Sequence, residues 1–98
     1  MLFVTVTYAN QDGAKFDFDY YMKKHIPMVA GLLGTTIEVC KGIATPMGTP
    51  VAFLCVARIR INSIEEFSAA MAKHGPQITQ DVANYSNVQP TVQIDEEL

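Results

Sequence analysis

Residues 2–8 alternate. Leu2, Val4, Val6 and Tyr8 fall on one side, and Phe3, Thr5 and Thr7 on the other. A period of two predicts a strand, here with one fully apolar face and a second, partly apolar one. Asn10-Gln11-Asp12-Gly13 is turn chemistry. From Asp17 to Leu33 the period lengthens. Phe18, Met22, Ile26, Val29 and Leu33 recur every three or four positions and predict an amphipathic helix with that stripe facing the core. Asp17 is placed to cap it, and Asp19 lies near the positive end of its dipole. Pro27 has no N–H and its ring crowds the carbonyl of Lys23, so the helix is expected to kink or restart there. Gly34 is the expected stop.

Residues 36–44 read as a second strand, 45–50 as a loop, and 51–61 as a third strand. The first half of the third strand is apolar on both faces: Val51, Phe53, Cys55 and Ala57 on one, Ala52, Leu54 and Val56 on the other. Such a strand needs cover on both sides. Ser63-Ile64-Glu65-Glu66 is a capping box opening a second helix. Lys73 and His74 fall in its expected last turn, and Gly75-Pro76 is expected to end it. Pro76 then opens a short helix over 77–84, and residues 91–95 form the last strand.

The order β-α-β-β-α-(short α)-β is the split βαβ, or ferredoxin-like, pattern of an α+β fold in one domain, 1–98. Right-handed crossovers place both helices on one face of a four-stranded antiparallel sheet. The other face is expected to be apolar and buried against a second copy. Two sheets packed in this way give a homodimer of the dimeric α/β barrel type. A simple hairpin about residues 46–49 sets Cys40 opposite Cys55. The pair is then either a cross-strand disulfide or two small apolar fillers, and a register change of one residue separates them.

Composition points to a second buried surface, either a partner interface or a ligand cavity. The apolar set makes up 49% of the 98 residues and charged residues 17%, against about 25% charged in a typical soluble domain. The net charge is −3 and there is no basic run beyond Lys23-Lys24, which argues against nucleic-acid binding. No apolar run reaches the roughly 18 residues of a membrane span. The amino terminus alternates like a strand and lacks the features of a signal peptide. Two cysteines with no ligand spacing suggest free thiols in a reducing cytoplasm, and no metal site.

Polar residues that periodicity does not explain gather in two segments, 16–27 and 81–86. Asp17, Tyr21 and His25 are spaced to share one helix face beside the apolar stripe. An imidazole at the rim of an apolar pocket serves as a general base or acid near neutral pH. Tyr21 is a candidate donor to a substrate oxygen, and Asp81, brought alongside, would fix the histidine tautomer. His25, Tyr21 and Asp81 are therefore the candidate catalytic set, with Asp17, Tyr20, Met22 and Tyr85 as candidate ligand-binding residues. Structural roles remain open for each: a hydrogen-bonding histidine at a helix kink, half-buried tyrosines, capping aspartates.

These segments resemble the EthD family, named for a role in ethyl tert-butyl ether degradation. The matching residues are Phe16-Asp17-x-Asp19-Tyr20-Tyr21, His25-x-Pro27, Asp81-Val82-x-Asn84-Tyr85-Ser86 and Val88-x-Pro90. The resemblance covers nearly the whole chain. It implies the same ferredoxin-like homodimer, with a small-molecule ligand between sheet and helices near His25 and Tyr21. The wider superfamily holds cofactor-independent oxygenases, cyclases, isomerases and decarboxylases, and also haem enzymes. Fold does not choose among them. Three functions compete. The first is a cofactor-independent enzyme acting on a small apolar or aromatic oxygenated compound. The second is a non-catalytic binding or accessory protein of a degradative pathway. The third is a haem protein with His25 as axial ligand.

Overall fold

The computed structural model describes residues 1–98. Strand β1, Leu2–Ala9, lies inside the sheet, and β4, Thr91–Glu96, pairs along its outer side. Strands β2, Ile37–Lys41, and β3, Phe53–Ile61, continue the sheet on the other side of β1. The order is β2-β3-β1-β4 and all neighbours are antiparallel. This is the α+β, ferredoxin-like arrangement expected from the alternation, with the helices on one face.

The first helical segment has three parts: α1, Phe18–Tyr20; a π-helical turn, Tyr21–His25; and α2, Ile26–Leu33. Asp17 caps it, its side chain accepting from the Tyr20 N–H at 3.1 Å. Pro27 produces neither a restart nor a break. The helix instead takes in one extra residue just before it, and the Ile26 N–H reaches back five residues to the Tyr21 carbonyl. Widening the turn makes room for a ring that lacks a donor for Lys23. Gly34 ends α2 in the left-handed region, at φ 64°, as a C-terminal glycine does.

The widened turn also changes which residues face inward. Tyr21, His25 and Val29 are buried, whereas Met22 is 47% exposed. The inner stripe thus runs one position behind the one that regular periodicity predicts.

Helix α3, Ile64–Asp81, passes straight through Gly75-Pro76 and ends in a single 3-10 turn, Val82–Asn84. The expected stop is absent because packing outweighs local preference. Phe67, Met71 and Ile78 lie on both sides of the proline and line one continuous surface toward the sheet. Ala72, whose carbonyl loses its partner to Pro76, is an exposed residue. His74 is therefore mid-helix, and a dipole role at a helix end does not apply to it. Ser63 accepts from the Glu66 N–H at 3.1 Å, but the Glu66 carboxylate takes its hydrogen bond from Asn62. Only half of the capping box forms.

Strand pairing sorts the two faces. Val4, Val6, Tyr8, Cys55, Ala57 and Ile59 share the helix side. The opposite side carries Phe3, Thr5, Thr7, Val56, Arg58 and Arg60. This open face is mixed rather than apolar throughout. The Arg58 guanidinium lies 4.2 Å from the Phe3 ring centroid, and the Thr5 hydroxyl donates to Asp95. The double-sided apolar pattern of β3 stops at Ala57, so its second half adds arginines to the open face. Cys40 pairs with Val56, and Cys55 with Lys41. The register is one residue off the symmetric hairpin, so the thiols point to opposite faces and both are free.

Candidate active site

The site is built where the π turn meets the segment after α3. In a widened turn, side chains four apart stand almost directly above one another. Tyr21 and His25 accordingly stack, with ring centroids 5.3 Å apart and planes 17° from parallel. Both point at the sheet.

The second half arrives from residues 81–88. The Asp17 N–H donates to the Tyr85 carbonyl at 2.7 Å, and Phe16 and Ser86 form an isolated bridge. The Ser86 hydroxyl donates to the Lys15 carbonyl at 2.7 Å. Asn87 accepts from the Lys15 N–H and donates to the Gly13 carbonyl. These bonds fix the 81–88 segment against the start of the first helix, and so set Asp81 and Tyr85 on either side of His25.

The result is a continuous chain of hydrogen bonds. His25 Nδ1 and Asp81 Oδ2 are 2.9 Å apart. His25 Nε2 lies 3.3 Å from the Tyr85 hydroxyl, which is 2.6 Å from the Tyr8 hydroxyl. At its other end, Asp81 Oδ1 accepts from the Tyr20 hydroxyl at 2.7 Å and from Asn84 Nδ2 at 2.9 Å. Asp81 is thus an anchored carboxylate with three donors.

Electrostatics fix the proton positions. Burial pushes the Asp81 carboxyl up, but hydrogen bonds from Asn84, Tyr20 and His25 outweigh it and hold the group below the usual carboxylate range. Burial lowers the His25 imidazole below its ordinary value despite the opposing pull of Asp81. Asp81 is then charged and His25 neutral at pH 7. A neutral imidazole facing a carboxylate carries its proton on Nδ1, which leaves Nε2 as the acceptor. The Tyr85 O–H donates to Nε2 and the Tyr8 O–H donates to Tyr85. Burial raises the phenols of Tyr8, Tyr21 and Tyr85, so all three stay protonated donors. Burial also pushes the Cys55 thiol up to about 11, which leaves it an inert filler beneath Tyr8 and Tyr21.

These groups form the polar end of a cavity of about 140 Å3 between the sheet and the helices. The rest of its wall is mainly aliphatic, from Val4, Val6, Val29, Ile59, Ile78 and Val92. Exposed Thr79, Gln89 and Val92 mark its mouth. His25 is 5% exposed and Tyr85 3%, so Nε2 sits deep inside.

The structure brings His25, Tyr21 and Asp81 together. Tyr85 is in the chain as well, in direct contact with His25. Tyr20 holds Asp81 from behind rather than lining the cavity, Asp17 is an exposed helix cap, and Met22 points outward. Sequence reasoning missed Tyr8 and Asn84. Tyr8 stands at the end of a strand where alternation explains it fully, and only the strand register shows that its hydroxyl reaches Tyr85. Asn84 lies three residues after Asp81, a spacing that points to a shared side-chain hydrogen bond.

A four-stranded antiparallel sheet with two helices on one face and a buried His–Asp pair beneath them defines the class: a ferredoxin-like fold of the α/β-barrel type. Solved structures narrow it. The chain is 40% identical to an EthD-like protein from Ralstonia eutropha JMP134, over 97% of this chain and 89% of that one, with a TM-score of 0.90. It therefore belongs to the EthD-like family. An EthD family protein from Bacillus halodurans C-125 shares the fold at 22% identity, over 100% and 99% of the two chains, with a TM-score of 0.79. HapK from Hahella chejuensis does so at 15%, over 100% and 93%, with a TM-score of 0.66. No family model and no curated protein matches the chain.

Haem does not fit the site. Nδ1 of His25 is held by Asp81, the Tyr85 hydroxyl covers Nε2, and the cavity is far smaller than a porphyrin. No three His, Cys, Asp or Glu side chains come together as metal ligands. No helix is long and apolar enough to cross a membrane.

Proposed function

We propose that this chain is an acid–base enzyme that uses no metal or organic cofactor and acts on a small apolar or aromatic oxygenated compound. The observation that carries this reading is the anchored Asp81–His25 pair, with the acceptor nitrogen of His25 aimed into an apolar cavity. A merely structural histidine needs no carboxylate that is itself held by two further donors. Here Asp81 fixes the tautomer; a bound substrate displaces the 3.3 Å Tyr85–Nε2 contact, so that Nε2 takes or returns a proton while the Tyr85 O–H, backed by the Tyr8 O–H, turns to an oxygen on which negative charge develops. The reaction types that fit are proton transfer next to a carbonyl and steps that follow from it: isomerisation, cyclisation, decarboxylation, or oxygenation of a stabilised carbanion. The experiment is to screen wild type and His25→Gln against a panel of enolisable and phenolic compounds. Turnover that falls about 100-fold or more in a folded variant supports the reading. Equal turnover in the two proteins removes His25 from the chemistry and leaves a binding role for the same cavity.

The proposed assembly is a homodimer through the open sheet face. On that face Val56 pairs with Cys40 and forms an apolar strip beside the Thr5–Arg58 pair. An apolar strip flanked by hydrogen-bonding groups supports an interface.

A further inference from the structure

The aliphatic cavity ends in neutral hydrogen-bonding groups: the Tyr8 and Tyr85 phenols and the acceptor Nε2 of His25. Every lining residue with a polar side chain is neutral: Tyr8, Tyr21, His25, Thr79, Tyr85 and Gln89. No lysine or arginine reaches the wall. The nearest formal charge is the Asp81 carboxylate, 2.9 Å behind His25, and it is negative. Tyr20 and Asn84 donate to Asp81 but lie outside the cavity, so nothing on the cavity side compensates an incoming anion. A ligand that arrives charged must give up its hydration with no counter-ion to receive it. A ligand that arrives neutral and becomes negative only during reaction meets two phenol donors.

Size gives a second constraint. The cavity is about 140 Å3, close to the roughly 150 Å3 of an engineered apolar cavity in another protein that binds benzene. The space takes a single six-membered ring with a small substituent.

Polar placement gives a third. Tyr8, Tyr85 and His25 form one line at the buried end, whereas the mouth is bordered by Thr79, Gln89 and Val92. Only the buried end offers hydrogen-bonding groups shielded from water; Thr79 and Gln89 at the mouth are exposed, where water competes, so one ligand oxygen gains a buried partner and a second does not.

From these features we propose that the cavity selects neutral, single-ring compounds bearing one hydroxyl or carbonyl oxygen, held on Tyr85, and rejects carboxylates of the same size. The inference rests on the acid–base reading for its chemistry, but it concerns binding and is tested apart from turnover. Binding selectivity is a contact between the Tyr85 hydroxyl and a ligand oxygen set against the desolvation of a charge, and it holds whether or not His25 then moves a proton.

The test uses unmodified protein and four probes: phenol, cyclohexanone, toluene and benzoate. Each is titrated at pH 7.5 while the backbone amide resonances of Tyr21, His25, Val29 and Tyr85 are followed by NMR. The expected result is that phenol and cyclohexanone bind about tenfold or more tightly than toluene, because their oxygen joins the Tyr85–His25 hydrogen-bond pair whereas toluene sets a methyl group against it. Benzoate is expected to shift none of these resonances. Tyr85→Phe is expected to bring phenol down to the affinity of toluene. Because the probe series is read on wild type, a variant that fails to fold does not remove the test. Benzoate binding as well as phenol overturns the inference and leaves the acid–base reading standing. Toluene binding as tightly as phenol does the same. Phenol-selective binding without any turnover on the enolisable panel supports this inference while ending the catalytic one. If none of the four probes moves the cavity resonances, this inference fails, and turnover on the enolisable panel alone decides the acid–base reading.

Discussion

At the residue scale, the sharpest consequences come from His25 and Asp81. Both are held below their ordinary pKa values in the folded state. A histidine lowered on folding binds its proton more readily in the unfolded chain, so acidification favours unfolding. Its contribution is complete above about pH 6.5, the unperturbed value, and fades as pH falls from there toward the lower native value. Asp81 acts in the same direction in a lower window, beginning near the ordinary carboxylate range and continuing as pH falls through its depressed value. Calorimetry from pH 8 to pH 4 is therefore expected to show Tm falling on the acid side, with the first drop below neutrality. His25→Gln should flatten that first drop and leave the later, carboxylate-linked one. If wild type and variant follow the same curve, His25 does not titrate as the geometry requires. The same depression places the acid limb of any pH–rate profile below pH 6.5.

At this scale the sequence was legible in part. His25, Tyr21 and Asp81 were visible because their polarity was out of place beside apolar stripes. Tyr8 was not, since a tyrosine at the end of an alternating strand raises no question. Only the long-range pairing with Tyr85 gives its hydroxyl a role. Met22 was misplaced for the same reason that Pro27 was misread: an extra residue in one helical turn rotates everything before it.

At the scale of elements, two prolines inside helical segments act in opposite ways. Pro27 reshapes its helix and Pro76 does not. Next to Pro27 the chain holds a π turn that stacks Tyr21 on His25. Pro27→Ala restores a donor for the Lys23 carbonyl and so favours a regular α turn. The expected outcome is a protein at least as stable as wild type whose His25 ring has left Asp81. The check is loss of the hydrogen-bonded Nδ1 proton resonance. In α3, Pro76 removes one bond and nothing else. Pro76→Ala is expected to raise the urea midpoint, corresponding to about 1 kcal/mol or more. A lower midpoint means that the ring itself is packed. Sequence punctuation was right about Gly34, where φ is positive and the helix ends at Leu33. It was wrong about Gly75-Pro76, because a break in local preference is overridden when both halves bury residues against the same sheet.

For the whole molecule, the strand order was legible from alternation and connection length, and the composition of the open face was not. The apolar surplus points to an interface or a cavity, and the strand pattern to both sheet faces. In the fold, much of it goes into the cavity wall and into exposed positions such as Ile43, Met47 and Val92, which are 85%, 86% and 53% exposed. The dimer prediction rests on Val56 and Cys40, since the Phe3 ring is already buried beneath Arg58. Sedimentation at micromolar concentration should give a dimer for wild type, and Val56→Glu should shift it toward monomer without loss of helical circular dichroism. A wild-type monomer under those conditions ends the proposal.

The stitching between residues 13–17 and 85–88 has a kinetic meaning. His25 lies 56 residues before Asp81 and 60 before Tyr85, and β4 follows later still. Closing loops of that length is the slow part of folding a chain with many non-local contacts. The imidazole is therefore open to water in any state in which residues 81–88 have not docked. Its depressed pKa, rather than its helix content, reports that docking.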